Sequence, residues 1–413
     1  MITNKFFLFL FLPLPFLIIS GPFLPDLAIS LMGIFCLFNF KTYFNLDALK
    51  NIKKFIIFLF IFYFFILLSS LLSEDILFSF ESSFFYFRFI FFLVLSCSII
   101  SSNESFTKYF LYALILSFLV LSIDGIYEFI FDFNLLGVKG PENRISGLFG
   151  NEWIIGSYLI RLLPILVGLF LLNLKKINFT IKILSVSAIF LSSLTIGLSG
   201  ERTALLLWTI FFFINFLFII RIYKFNKLTF LMILILSIII SPIFLNDNLN
   251  KRITLDLKSH SSIDPNNSVY TSMYLTSFSM FVERPLLGHG PKMYRIKCDD
   301  FKKSFNSCNT HPHNFYMQLL AETGIIGFLL VFSFFIFIFY RILIMFFFIN
   351  KLKKNKLNFF GILNLLISIF INFWPLIPTG SFFNNRYSLF LYIPIVIYFS
   401  FLVKKDNKDY NFS

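Results

Sequence analysis

Two histidines and an asparagine, His311, His313 and Asn314, stand directly before an apolar run that carries Glu322, Gly324 and Gly327, in THPHNFYMQLLAETGIIGFLL (residues 310–330). A histidine side chain accepts a proton near neutrality, and nearby cations favour its neutral, basic form. The chain also carries arginines in unusual settings: Arg144 in NRISGLFGNEW, Arg161 in the apolar run that follows, Arg202 in SGERTALL, and Arg88 inside FFYFRFIFF. A guanidinium fork suits a phosphate or other oxyanion, so Arg144 and Arg161, converging on one mouth, suggest an anion site. Structural roles stand beside these. Thr310 and Asn314 can cap a helix, Arg161 can snorkel to the membrane surface, and Arg88 can pair with Asp124 or Glu128. Arg202 can pair with Glu201, although adjacent residues do not face each other on a helix. His289 with His311 and His313 can be read as metal ligands, but no fixed spacing supports the third.

The elements that must position these groups are membrane helices. Of 413 residues 58% are hydrophobic, 14% are charged and 66 are Phe, a composition outside the soluble range. The reading is an all-α, polytopic membrane protein with twelve apolar segments of ~20 residues. They lie near 6–20, 24–40, 55–72, 84–100, 109–131, 153–172, 181–200, 203–222, 228–245, 324–348, 359–378 and 387–403. Pro13, Pro15, Pro22 and Pro25 interrupt the first two, and no cleavable signal peptide is expected. The net charge of +14 is distributed as a topology signal and does not point to nucleic acid. With the N-terminus inside, the cytoplasmic segments hold 20 basic and four acidic residues, against 15 and 17 in the remainder. Both termini are then cytoplasmic, and the loops 132–152 and 246–323 are external. Reporters fused after Lys182 and Lys354 are expected to read cytoplasmic and one at Asn266 external; an internal Asn266 would remove the site from the face assigned to it.

All four histidines fall within or at the end of the 246–323 loop. Residues 268–283 have a mostly helical apolar period suited to lying on the bilayer surface, and RPLLGHGP follows as a turn. Cys298 and Cys308 are the cysteines outside the expected spans. In an external compartment they can pair, closing a loop worth roughly 2–3 kcal/mol, or remain free thiols.

His313-Asn314, nine residues, Gly324, two residues and Gly327 together resemble the signature of the O-antigen ligase family, which includes the related polysaccharide polymerases. NRISGLFGNEW, SGERTALL and ERPLLGHGP resemble further blocks of that family in the same order, so the resemblance spans roughly residues 140–380. Glu201 departs from the small polar residue common at its position, and the cysteine pair is not typical. The resemblance implies a metal-independent, inverting glycosyltransferase without cofactor in a bacterial inner membrane, its active site on the periplasmic side. The implied donor is an undecaprenyl-pyrophosphate-linked saccharide; the acceptor is a lipid A core for a ligase or a growing glycan for a polymerase. His313 would take the acceptor proton and Asn314 orient it. Arg202, with Arg161 or Arg144, would hold the pyrophosphate, and Arg88 and Glu322 are further substrate-binding candidates. On this reading residues 1–131 are N-terminal helices, 132–380 the catalytic membrane region, and 381–413 the last helix and basic tail. A transporter is the alternative of another class, but repeated halves or a long central cytoplasmic loop are expected of one.

Overall fold

The computed structural model describes residues 2–44, 49–103, 105–140, 144–223, 269–302, 308–348 and 356–403. The expected ninth span, His260 and residues 246–268 of the long loop lie outside them. Among the described residues the chain is helical, with no strand. In order the helices are α1 (Ile2–Phe11), α2 (Leu14–Ile19), α3 (Phe23–Phe38), α4 (Phe40–Tyr43), α5 (Lys53–Leu71), α6 (Ile76–Phe84), α7 (Phe87–Ser102) and α8 (Phe106–Phe131). They continue as α9 (Ile155–Asn173), α10 (Phe179–Leu198), α11 (Arg202–Tyr223), α12 (Val269–Glu283), α13 (Tyr294–Lys297), α14 (Phe315–Phe347), α15 (Lys356–Asn372) and α16 (Asn385–Val403). Eight described helices, counting Ile76–Ser102 as one, are long and apolar enough to cross a membrane, and Lys5–Ile19, Phe23–Phe38 and Lys356–Asn372 are shorter apolar helices. The prolines explain the short beginnings: Pro13 falls in the turn between α1 and α2, where a residue without an N–H and with a fixed φ interrupts the ladder.

The chain divides into two compact units. One comprises Met1–Gly21, Asn103–Asp256 and Phe339–Asn372, the other Pro22–Ser102, Leu257–Ile338 and Phe373–Ser413. The first is built on α8, α9, α10 and α15. Gly168 of α9 lies against Gly361 of α15, where an added Cβ would stand 3.0 Å from the Gly361 carbonyl oxygen; small residues let helix backbones approach when lipid leaves packing as the main attraction. Asn215 of α11 and Asn364 of α15 exchange side-chain hydrogen bonds of 3.3 and 3.1 Å nearby.

The second unit centres on α3, α7 and α16, with α5 and α6 beside them. Arg88 is an internal tie here. Its guanidinium lies 2.8 Å from Asp26 of α3 and donates to Asn385 Oδ1 of α16 at 2.6 Å. The expected partners Asp124 and Glu128 are committed elsewhere, and Arg88 is held as an intramembrane cation is best held, by a counter-ion and an acceptor.

Candidate active site

The second unit is organised by a break in α14. Gly324 sits at φ 63° and ψ −165° between Phe315–Thr323 and the apolar remainder, so the helix begins nine residues before the expected span at 324. A left-handed φ suits glycine, and here a Cβ would also run into the Leu286 backbone. Into the break fits the RPLLGHGP turn. Ile325 N donates to Pro285 O (2.8 Å), His289 N to Ala321 O (3.0 Å) and Gly290 N to Glu322 O (2.8 Å), while Ser69 Oγ reaches Leu287 O and Glu322 O. The turn and the helix thus complete each other's backbone hydrogen bonds, as groups buried from water require.

Glu322 is fully buried beneath this turn. Its carboxylate accepts from Lys292 N (2.9 Å), Tyr294 N (3.0 Å) and Gln318 Nε2 (2.9 Å). Both oxygens thus position the loop. Asn314 is committed in the same way, with Oδ1 accepting from Tyr316 N (3.0 Å) and Met317 N (3.1 Å) and Nδ2 donating to Pro375 O and Ile377 O. Its carboxamide caps the helix. Residues 373–384, expected to continue a helix to 378, form a non-helical segment stitched to the start of α14. Thr379 Oγ1 accepts from Phe315 N (2.8 Å), Gln318 Oε1 from Phe382 N (2.9 Å) and Phe373 O from the Tyr316 hydroxyl (2.7 Å). Pro375, Pro378 and Gly380 were the signal that ends the helix early.

His313 lies at the head of α14 in the left-handed region, φ 52°, its carbonyl accepting from Thr379 N at 2.7 Å. A β-carbon in that region costs energy that the surroundings must offset, a feature common at functional sites. Its tautomer follows from the neighbours. Thr310 N donates to Asn309 Oδ1 (2.7 Å), which turns Asn309 Nδ2 toward His313 Nε2 at 3.2 Å; an amide nitrogen only donates, so Nε2 carries the lone pair. Burial pushes the His313 pKa below its usual 6.5. His311 packs beside it at a tilt, with ring centroids 4.4 Å apart, but burial and then the neighbouring His313 push it to about 4, too weak a base to compete near neutrality. The edge of Tyr270 completes the histidine surroundings at 6.0 Å.

Two cations that sequence reading passed over follow the glycine turn, and one of them reaches the histidines. Lys292, at φ 64°, follows the turn, and burial holds its ammonium below the usual lysine range, with the charge of Arg295 adding to the effect. Arg295, exposed on α13, also acts on His311. The available signal was KMYR directly after a glycine turn. His289 is buried, its Nε2 3.0 Å from Met280 O. Among the described residues, the histidine, cysteine and carboxylate donors close enough to share an ion are Glu74, Glu283 and His289, so the histidine triplet is not assembled. Glu74 is itself held by Arg284 (3.0 Å) and by Lys297.

Cys298 and Cys308 are joined by a disulfide, Cα atoms 5.4 Å apart, on a small core of Met280, Tyr294 and Ala321. The bond closes the loop that leads to His311 and His313. Peptide mapping without reductant is expected to recover the two cysteines as one cross-linked species; free alkylation of both would remove this brace.

The remaining sequence-selected cations belong to the first unit. Arg144 stacks over the Trp153 ring at 4.4 Å, in a loop pinned from α8: Glu128 accepts from Ser146 N and Gly147 N, and Asp124 from Leu135 N at 2.8 Å. These carboxylates are the ones offered to Arg88 by sequence; backbone amides take them. Arg161 is buried in α9, 4% exposed, and donates to Asn372 Oδ1 at 3.0 Å, so it does not snorkel. Arg202 opens α11 and is half-buried. Its neighbour Glu201 accepts from Gly156 N (2.6 Å), Ser157 N (3.0 Å) and Ser157 Oγ (2.6 Å). Burial pushes that carboxyl up to about 7 despite the three donors.

Residues 187–332, which contain the Arg202 block, the glycine turn and the histidine segment, match the model of a family described as O-antigen ligase. No curated protein matches the chain.

Proposed function

We propose, for a chain that belongs to the O-antigen ligase family through its residues 187–332, that it transfers a saccharide from an undecaprenyl-pyrophosphate carrier to an acceptor hydroxyl at the periplasmic face of a bacterial inner membrane. The observation that carries the reading is His313: a buried-edge imidazole, its lone pair on Nε2, covered by an exposed Asn309 amide that an acceptor O–H can replace. In the reaction the acceptor proton passes to Nε2 as its oxygen bonds the anomeric carbon. The bond from that carbon to the pyrophosphate oxygen breaks with its electron pair, and the configuration inverts. Arg202, with Arg144, neutralises the leaving diphosphate by charge-assisted bonds, without a metal. Arg161, buried on Asn372, supports the helix that carries it. Asn314 and Glu322 act by positioning His313 and the loop. Twelve spans with both ends cytoplasmic, as read from the charges, put Arg202 and His313 on the external side.

Arg202→Ala is expected to weaken undecaprenyl-pyrophosphate binding to the purified, reconstituted protein by roughly 1.5–3 kcal/mol, the worth of a charge-assisted contact. Unchanged affinity would take the diphosphate away from Arg202. A polymerase of the same family differs in its acceptor, and the lipopolysaccharide of a deletion strain separates the two: unligated donor marks a ligase, single-repeat caps a polymerase.

A further inference from the structure

We propose that Glu201 is a positioning residue that holds Arg202 in place for the donor diphosphate, an inference that rests on the role given to Arg202 above. The argument begins at the start of α9. The first N–H groups of a helix have no partner within it, and Ile154 at the cap position has no side chain that can accept. Glu201 supplies the missing acceptor from a distant part of the chain. Both of its oxygens engage the first turn of α9, at Gly156 N, Ser157 N and Ser157 Oγ. A carboxylate also suits the positive end of a helix dipole. The approach needs glycine at 156: a Cβ there would lie 2.6 Å from Ser199 Oγ and 3.0 Å from both Ala204 Cβ and Glu201 Oε1.

Only Ser199, Gly200 and Glu201 separate α10 from α11, and Gly200 turns the chain at φ 67°. Anchoring Glu201 therefore anchors the next residue, Arg202, against the helix that carries Arg161. A negative side chain beside a diphosphate site would ordinarily weaken binding. Here its charge faces the α9 amides, so the helix terminus screens what the ligand feels. The charged groups around it are few. Arg144 acts on it from the loop before α9, and Arg202 is its neighbour on the hairpin. The end of α10 and the turn after it, LSSLTIGLSG, are uncharged, Arg161 is the charge on α9, and Asp124 and Glu128 of α8 accept from the amides of 135, 146 and 147.

Three donors are satisfied only by the ionised form. A carboxyl brought to about 7 by burial thus loses a hydrogen bond when it gains a proton, and Arg202 loosens as the pH falls below that value. The diphosphate diester does not titrate there, and His313 serves the proton transfer, so the pH dependence of donor affinity reports on Arg202 and its anchor.

The test is binding of an undecaprenyl-pyrophosphate-linked saccharide, whose diphosphate is a diester, to wild type, Glu201→Gln, Arg202→Ala and the double variant, between pH 6 and 8. Wild type is expected to lose about tenfold in affinity from pH 8 to pH 6, the worth of one charge-assisted bond. Glu201→Gln is expected to start about tenfold weaker at pH 8 and to show no further change down to pH 6. The double variant is expected to bind no worse than Arg202→Ala alone, the non-additivity of residues acting through one another. Wild-type affinity and pH dependence in Glu201→Gln, or additive losses in the double variant, would overturn the proposal while leaving Arg202 its role. An Arg202→Ala variant of unchanged affinity overturns the underlying reading, and the proposal with it. Should Glu201→Gln not accumulate, wild type against Arg202→Ala decides: a pH dependence equal in both sinks the proposal.

Discussion

His313→Ala is expected to reduce saccharide transfer by about 10²- to 10⁴-fold, the usual loss on removing a positioned general base, while undecaprenyl-pyrophosphate binding stays within a factor of a few. The argument rests on which atom is free to accept. Asn309 is oriented by Thr310 N, so His313 Nε2 holds the lone pair, and burial keeps the ring neutral below the usual histidine range. Because the neutral ring is the active form, kcat should stay on its plateau as the pH falls through 6.5 and decline only at lower pH. His311→Ala should cost far less, since a group with a pKa near 4 is a poor proton acceptor at neutrality. Transfer assays on reconstituted protein, with and without chelator, read all of this. A fully active His313→Ala protein would remove the base, and activity lost to chelator and restored by zinc would replace it with a metal.

Glu322→Ala is expected to be the most damaging single change to the fold of the second unit. It leaves Tyr294 N buried and Lys292 N part-buried without their acceptor, at about 1–3 kcal/mol for each stranded group, and reduces Gln318 Nε2 to its bond with Ser381 Oγ. The glycine turn then loses its seat in the Gly324 break, and the histidine loop is released with it. Glu322→Gln should be milder, since the amide oxygen retains part of the set. Thermal unfolding in detergent is the measurement: a large drop, or failure to accumulate, is expected for alanine. An alanine variant with wild-type melting and weakened substrate affinity alone would return Glu322 to the substrate.

The motifs were legible because their spacing is local. Glycines at 324 and 327 after His313-Asn314, and the turn ERPLLGHGP, stand out in one dimension, and the family match covers both. What they do to each other was not legible. That the turn enters the helix break shows only when the two segments, separated by the histidine loop, meet. Arg88 shows the same limit. Sequence identified it as a costly intramembrane cation and offered Asp124 and Glu128, the acids in a nearby span; its partner is Asp26, which reaches it because α3 packs on α7. Residues 373–378 were misread for a different reason. Their apolar content matched a span, while the prolines that end the helix counted for less than they should.

By itself the sequence determined the membrane class, most span positions and the residues able to transfer a proton or hold an anion. These follow from the length of apolar chain a bilayer demands and from intrinsic side-chain chemistry. Only the tertiary structure decided which polar groups are free to act. Glu322, Asn314 and Glu201 carry reactive-looking side chains that prove to be spent on backbone amides and carbonyls, whereas His313 keeps a lone pair facing an exposed amide. The physical reason is that a buried backbone group must find a partner, and a distant carboxylate or carboxamide can be that partner without leaving any mark on the local sequence.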